Sequence, residues 1–184
     1  MNGLFSAANE VQGVLVAAGW RYCFIGGLAV QRWGEPRLTR DVDLTLLTGF
    51  GHEAPFIDLL VRRFDSRIPD AAEFALRNRV LLLKASEGIP VDVALGGLPF
   101  EERAVGRATA WPVPDGEPLL TCSAEDLVVH KVFAGRNRDW ADVEGIIARQ
   151  GATLDVTTIE AELVPLLELK GDESALPRLR AMLP

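Results

Sequence analysis

Cysteine is nearly absent: Cys23 and Cys122 are the only two in 184 residues. Two thiols exclude a disulfide-built scaffold and a cysteine zinc site, and Cys23, inside the apolar run Tyr22-Cys23-Phe24-Ile25, reads as a small core residue. Histidine is as scarce. His52 and His130 lack metal-ligand spacing, and no serine–histidine–acid arrangement accompanies them. No apolar run approaches the roughly 18 residues that a membrane-spanning helix needs. The beginning of the chain lacks the basic start and apolar centre of a secretion signal, so the expected location is cytoplasmic. Lysine occurs only at Lys84, Lys131 and Lys170. Positive charge is in deficit, with 19 Lys and Arg against 26 Asp and Glu and a net charge of −7. That balance argues against a general nucleic-acid-binding surface but leaves room for a local basic patch.

What is present is an ordinary globular composition, 48% apolar and 24% charged, long enough for one domain or one with a small appendage. Leu4, Phe5, Ala8, Val11 and Leu15 recur at helical spacing, predicting a helix over 4–18 that stops at Gly19. A buried strand over 21–25, a short helix over 28–33 and a loop over 34–40 come next. Val42 to Leu47 is the second strand, and Phe56, Leu59, Leu60 and Phe64 mark another helix. The runs Val80–Ala85 and Ile89–Leu95 form a hairpin across Ser86-Glu87-Gly88. A short helix over 99–105 has proline in its first turn. Segments 108–113 and 117–121, interrupted by Pro112, Pro114 and Pro118, read as edge strands. Helices are expected over 127–134, opened by a cap at Ser123, and over 139–149, with Asp139 as N-cap and Asp142 in the first turn. In the tail from Asp155 to Leu183, Pro165 and Pro177 are expected to break the helix. The expected class is α/β (α+β): a mixed sheet flanked by helices, with a core over 1–121 and a helical subdomain over 122–184 packed on it.

One stretch carries chemistry. Gly26-Gly27 ends the first strand, and Asp41-Val42-Asp43-Leu44 opens the second. Strand alternation points Asp41 and Asp43 the same way, and adjacent carboxylates repel unless a cation lies between them. Such oxygen ligands suit Mg²⁺ bridging to substrate phosphates. Two glycines let a backbone approach phosphate oxygens, and the helix after them would aim its free N–H groups at the same anion. Asp92, alone in the apolar run Ile89-Pro90-Val91-Asp92-Val93-Ala94, needs a partner. Each aspartate also has an ordinary reading: Asp41 as a loop cap, Asp43 paired with Arg37 or Arg40, Asp92 in a buried salt bridge. The four scattered tryptophans, Trp20, Trp33, Trp111 and Trp140, read as core or rim.

Together, Gly26-Gly27, Asp41-Val42-Asp43 and Asp92 resemble the fingerprint of the nucleotidyltransferase superfamily typified by DNA polymerase beta. The fuller run Gly34-Glu35-Pro36-Arg37-Leu38-Thr39-Arg40-Asp41-Val42-Asp43-Leu44 is similar to small bacterial members, namely abortive-infection toxins and minimal and aminoglycoside nucleotidyltransferases. The resemblance spans about residues 20–145. It implies a twisted nucleotidyltransferase sheet and an enzyme that moves a nucleoside monophosphate from a nucleoside triphosphate to a hydroxyl, releasing pyrophosphate. Asp41, Asp43 and Asp92 would hold two Mg²⁺ ions, and Asp92 would take the proton. Gly26 and Gly27 would hold phosphates, with Arg37 and Arg40 as further candidates. The acceptor would be an RNA end, a protein side chain or a small molecule, and a toxin would have an antitoxin partner. The run Lys131…Arg136-Asn137-Arg138-Asp139-Trp140-Ala141-Asp142 resembles the helical segment C-terminal to the core in the same group, where the lysine faces nucleotide phosphates. The alternative is a degenerate nucleotide-binding or partner-binding module on the same scaffold.

Overall fold

The computed structural model describes residues 2–114 and 116–183. Helix α1 (Asn2–Ala17) leads into β1 (Tyr22–Phe24), α2 (Gly26–Trp33) and β2 (Val42–Leu47). Then come α3 (Ala54–Arg63), β3 (Asp65–Ser66), α4 (Ala71–Asn78), β4 (Val80–Lys84), β5 (Pro90–Gly96) and α5 (Pro99–Arg107). Two short strands, β6 (Thr109–Trp111) and β7 (Leu119–Thr121), precede the helices α6 (Ala124–Ala134), α7 (Asn137–Gln150), α8 (Val156–Lys170) and α9 (Ala175–Arg180). The strands form one mixed sheet in the order β3-β4-β5-β2-β1-β7-β6. Helices flank that sheet, so the expected α/β (α+β) class, a mixed sheet flanked by helices, is what the chain adopts.

Strand alternation divides the apolar residues between two cores. Tyr22, Phe24, Val42, Leu44, Leu46, Val91 and Val93 face α1, α3 and α4 in one. Cys23 lies in the other with residues of α5 to α9. Helix α2 is wedged between them, giving Leu28 to the first core and Ala29 and Val30 to the second. No helix among the described residues is long and apolar enough to cross a membrane.

Several boundaries differ from the sequence reading, each for a local reason. Helix α2 begins two residues early, at Gly26, because the glycine turn itself closes the first helical turn. Strand β7 is not an edge strand. It pairs in parallel with β1 at Phe24↔Thr121 and antiparallel with β6, which takes the edge. Helix α7 starts at Asn137, and Asp139 is its third residue; its carboxylate accepts from the Arg136 main-chain N–H at 3.2 Å rather than acting as N-cap. Pro165 lies inside α8 without ending it, and Pro177 lies inside α9. The break falls instead at Gly171, left-handed at φ 69°, which closes α8. Strand β3 and helix α4 carry no periodic apolar signal of useful length, and the sequence does not announce them. Ser123 caps α6 as expected, its Oγ accepting from the Asp126 N–H at 3.1 Å.

A polar staple ties α5, α6 and α8 together. Arg107 clasps Asp126 with two hydrogen bonds, 3.1 and 2.6 Å, and reaches Glu162 at 2.9 Å. Arg103 clasps Glu162 at 2.8 and 2.6 Å. Asp126 is fully buried and Glu162 nearly so, yet both are fully paired.

Candidate active site

Strands β2 and β5 run parallel, and their register sets Asp43 directly beside Asp92. Asp41 stands two residues before Asp43, just ahead of the strand, where alternation aims it toward the same face. Leu82 of β4 is opposite Asp92 on the other side. The three aspartates act on one another. Burial pushes the Asp43 carboxyl up to about 6, with the charges of Asp41 and Asp92 adding to the shift. Asp92 is raised too, by burial and by Asp41, while Arg67 pulls the other way.

The glycine turn is shaped around Asp43. Gly26 has φ 59°, and a Cβ there would sit 2.0 Å from Asp43 Oδ2. A Cβ on Gly27 would sit 1.9 Å from Thr39 Oγ1. Only hydrogen fits at either place, so the two glycines are explained by close approach of the site's own side chains as well as by any ligand. The Gly27 N–H donates to Asp43 Oδ2 at 3.5 Å, whereas Ile25, at the N-cap of α2, offers no side-chain bond. Thr39 Oγ1 donates to Asp41 Oδ1 at 3.2 Å, fixing the first carboxylate from the loop.

Opposite the aspartates, α6 and α7 present cations. Lys131 is buried, its Nζ 2.8 Å from Asp142 and 3.2 Å from Asp139. Asp142 is also clasped by Arg37 at 2.6 and 2.8 Å, and Asp139 by Arg136 at 2.6 and 3.2 Å. Burial alone would raise both carboxyls, but hydrogen bonds from Arg136 and Lys131 to Asp139, and from Arg37 and Lys131 to Asp142, hold both below the usual range. Lys131 lies close enough to help offset the upward push on Asp43, and Arg136 feels the Asp43 charge in turn.

The structure thus brings Asp41, Asp43, Asp92, Gly26 and Gly27 to one strand end, with Lys131 facing them. Arg37 stands near Asp41 and clasps Asp142, the carboxylate that it shares with Lys131. Arg40 is exposed and makes no ion pair among the described residues. With Pro36, Arg37, Leu38 and Thr39 it lines a cleft of about 600 Å³ that also reaches Gln31 and Ile89. Asp43 pairs with neither Arg37 nor Arg40, whereas Asp92 has the arginine partner that its ordinary reading calls for, Arg67. Arg67 sits in no recognisable motif, and nothing in the sequence singles it out. Asp139 and Asp142, structural by their sequence reading, are structural to the site, as the two carboxylates that seat its cations.

The donor chemistry fits a hard divalent cation: carboxylate oxygens stand together on neighbouring strands, and burial and mutual repulsion raise Asp43 and Asp92 even against Lys131 and Arg67. The set is not closed around one point, however. Among the described residues no group of three or more His, Cys, Asp or Glu side chains is arranged to hold a metal ion. The Asp92 carboxylate is paired with Arg67.

Two solved structures share the fold. The solution structure of the antibiotic-resistance factor ANT(2'')-Ia superposes with a TM-score of 0.54 at 15% identity, over 96% of each chain. An antigenic nucleotidyltransferase-like protein from Paracoccidioides brasiliensis superposes at 0.53 and 16% identity, over 94% of this chain and 91% of the other. At such identities the likeness speaks for the fold alone. No curated protein matches the sequence. The model of one family, described as the nucleotidyl transferase AbiEii toxin of type IV toxin–antitoxin systems, matches residues 14–182. Glycine turn, paired strand aspartates and the helical cations all fall inside that match, and the chain belongs to the AbiEii nucleotidyltransferase family.

Proposed function

We propose that this nucleotidyltransferase moves a nucleoside monophosphate from a nucleoside triphosphate to an acceptor hydroxyl, with pyrophosphate leaving. The observation that carries the reading is the Asp43–Asp92 pairing beside Asp41, an excess of negative charge facing buried Lys131 across the glycine turn. In this reading Asp41 and Asp43 hold divalent metal, two Mg²⁺ ions in the full set, and Asp92 completes the position nearest the acceptor and receives its proton. Bound metal supplies positive charge at the attacking hydroxyl and at the leaving pyrophosphate. Gly26, Gly27 and the first N–H groups of α2 cradle the triphosphate. Lys131, a point charge seated by Asp139 and Asp142, faces the β- or γ-phosphate, where negative charge grows during transfer. Arg40 is the free cation at the rim, and Arg37 contributes through its pairing with Asp142.

Membership of a toxin family supports a further reading, that the transfer harms the cell that makes the protein and that a partner gene neutralises it. The acceptor is an RNA end, a protein side chain or a small molecule. Purified protein incubated with each labelled triphosphate, Mg²⁺ and cell extract should release pyrophosphate and label one acceptor class, with Asp43→Asn inactive. Triphosphate binding without pyrophosphate release on any acceptor would favour a degenerate binding module instead.

A further inference from the structure

Five arginine–carboxylate pairs among the described residues are two-pointed: Arg37–Asp142, Arg103–Glu162, Arg107–Asp126, Arg136–Asp139 and Arg180–Glu160. The pair at Asp92 is one-pronged, as are Arg77–Glu73 and Arg79–Glu53, but of these three arginines only Arg67 leaves a buried nitrogen without a partner. Arg67 touches it through one guanidinium nitrogen and one carboxylate oxygen. Its Nε is buried with no partner at all. Both side chains stay partly open to solvent, 25% for Arg67 and 33% for Asp92. A planar fork that meets a carboxylate by one prong and buries another unsatisfied gives up much of what makes such pairs strong. The backbone around Arg67 is nevertheless fixed, since its N–H donates to Leu82 O at 3.0 Å, across from Asp92 in the sheet. The arginine is therefore delivered to Asp92 by a firm strand edge and held there by a weak grip.

We propose that Arg67 is a displaceable counter-ion: it neutralises Asp92 until a divalent cation arrives, and the cation's entry and the arginine's departure are one exchange. This rests on the reading of Asp92 as a metal-holding residue given above. Among the described residues Asp41 and Asp43 form no ion pair with an arginine, as Asp92 does, so a cation meets no such competitor there. At Asp92 it does. The two positions then load in order, the Asp41–Asp43 side first and tightly, the Asp92 side later and weakly. Arg67 is a positioning residue: it touches neither substrate nor metal and acts through Asp92.

The test is Mn²⁺ binding followed by electron paramagnetic resonance, using the full chain with a non-hydrolysable triphosphate. The native protein should bind two Mn²⁺ with unequal affinity. Arg67→Gln should tighten the weaker site about tenfold, the factor that matches one lost charge-assisted contact, and leave the tighter site unchanged. Arg67→Lys, which keeps the charge but not the fork, should fall between the two and serves if Arg67→Gln folds poorly. In an Asp92→Asn background, Arg67→Gln should change nothing. Metal-free Arg67→Gln should melt lower than the native chain, and Mn²⁺ should restore more of that loss than it adds to the native chain. If Arg67→Gln leaves the weaker site unchanged or weakens it while two ions still bind, the counter-ion exchange is overturned and the metal reading stands. If the native chain binds no Mn²⁺ with the triphosphate present, the metal reading fails and the exchange with it.

Discussion

The staple joining α5, α6 and α8 and the aspartates at the end of β2 and β5 hold comparable numbers of acidic groups under opposite conditions. In the staple, two arginines meet two carboxylates, and each arginine clasps one of them with both prongs of its fork. At the strand end, three carboxylates share one arginine that touches only Asp92, and Asp43 is pushed up to about 6. Buried ionic groups that are fully paired read as architecture. A partly buried surplus of one sign reads as a place prepared for something else, because folding alone gains nothing from it. The same contrast separates Lys131 from Lys170. Lys131 is buried between two carboxylates, whereas Lys170 is exposed and touches the Phe133 carbonyl and Asp172.

Breaking the staple should have the largest effect on stability. Arg107→Ala leaves fully buried Asp126 without its clasp and takes one partner from Glu162. Removal of one partner from a buried pair costs about 3–5 kcal/mol. Urea denaturation should show a loss of that size. Arg107→Met with Asp126→Leu should recover most of it, since an apolar pair leaves no charge stranded. Recovery absent in the double variant would mean that the staple gives more than neutralised charge.

The opposite substitution at the strand end should stabilise. The folded-state pKa of Asp43 is raised from its ordinary 3.8 to about 6, so the folded chain holds more protons than the unfolded chain between those values. The group therefore favours the folded state below about pH 4, and that advantage is lost as pH rises through about 6. Asp43→Asn removes the charge that folding must bury. It should raise stability by about 2 kcal/mol at pH 7.5, on the scale of 1.36 kcal/mol per pKa unit and allowing for partial solvation. The gain should fade toward pH 4, read as the difference between the two urea midpoints across the pH range. A variant that is less stable at pH 7.5 would show that Asp43 is held by a favourable pairing.

How much of this contrast the sequence discloses depends on how local its causes are. Gly26-Gly27 and Asp41-Val42-Asp43 are legible because a turn and an alternating strand are set by neighbouring residues. Asp92 is legible because a carboxylate stands out in an apolar strand. Its place beside Asp43 depends on a parallel register between β2 and β5, which no short-range pattern encodes. Arg67 is illegible for the same reason, lying just past a two-residue edge strand whose only distinction is where the sheet puts it. The opening of α7 is easily misplaced because Asp139 looks like a cap, and its side chain does reach back to the start of the helix, but from the third position. Pro165 misleads because proline removes one hydrogen bond, and packing of Leu163, Leu166 and Leu167 in the second core carries α8 through it.

Lys131 is the sharpest test, because it belongs to neither pole: it is buried and paired like the staple, yet its charge bears on Asp43 like a site residue. Its two carboxylates do not depend on it alone. Asp139 keeps the two-pointed clasp of Arg136, and Asp142 keeps that of Arg37. Lys131→Ala should therefore lower stability by about 1.5–3 kcal/mol, the scale of one hydrogen bond to a charged group, below the loss in Arg107→Ala. Turnover should respond differently. A cation facing phosphate oxygens that gain charge during transfer contributes more to the transition state than to the bound triphosphate. Loss of such a contact should lower kcat at least about tenfold while triphosphate affinity falls less. Lys131→Arg should rescue only part, because a planar fork cannot replace a compact ammonium wedged between Asp139 and Asp142. Steady-state kinetics beside urea denaturation of the same variants decides the matter. A Lys131→Ala protein that keeps full turnover but unfolds as readily as Arg107→Ala would move Lys131 to the architectural side of the comparison.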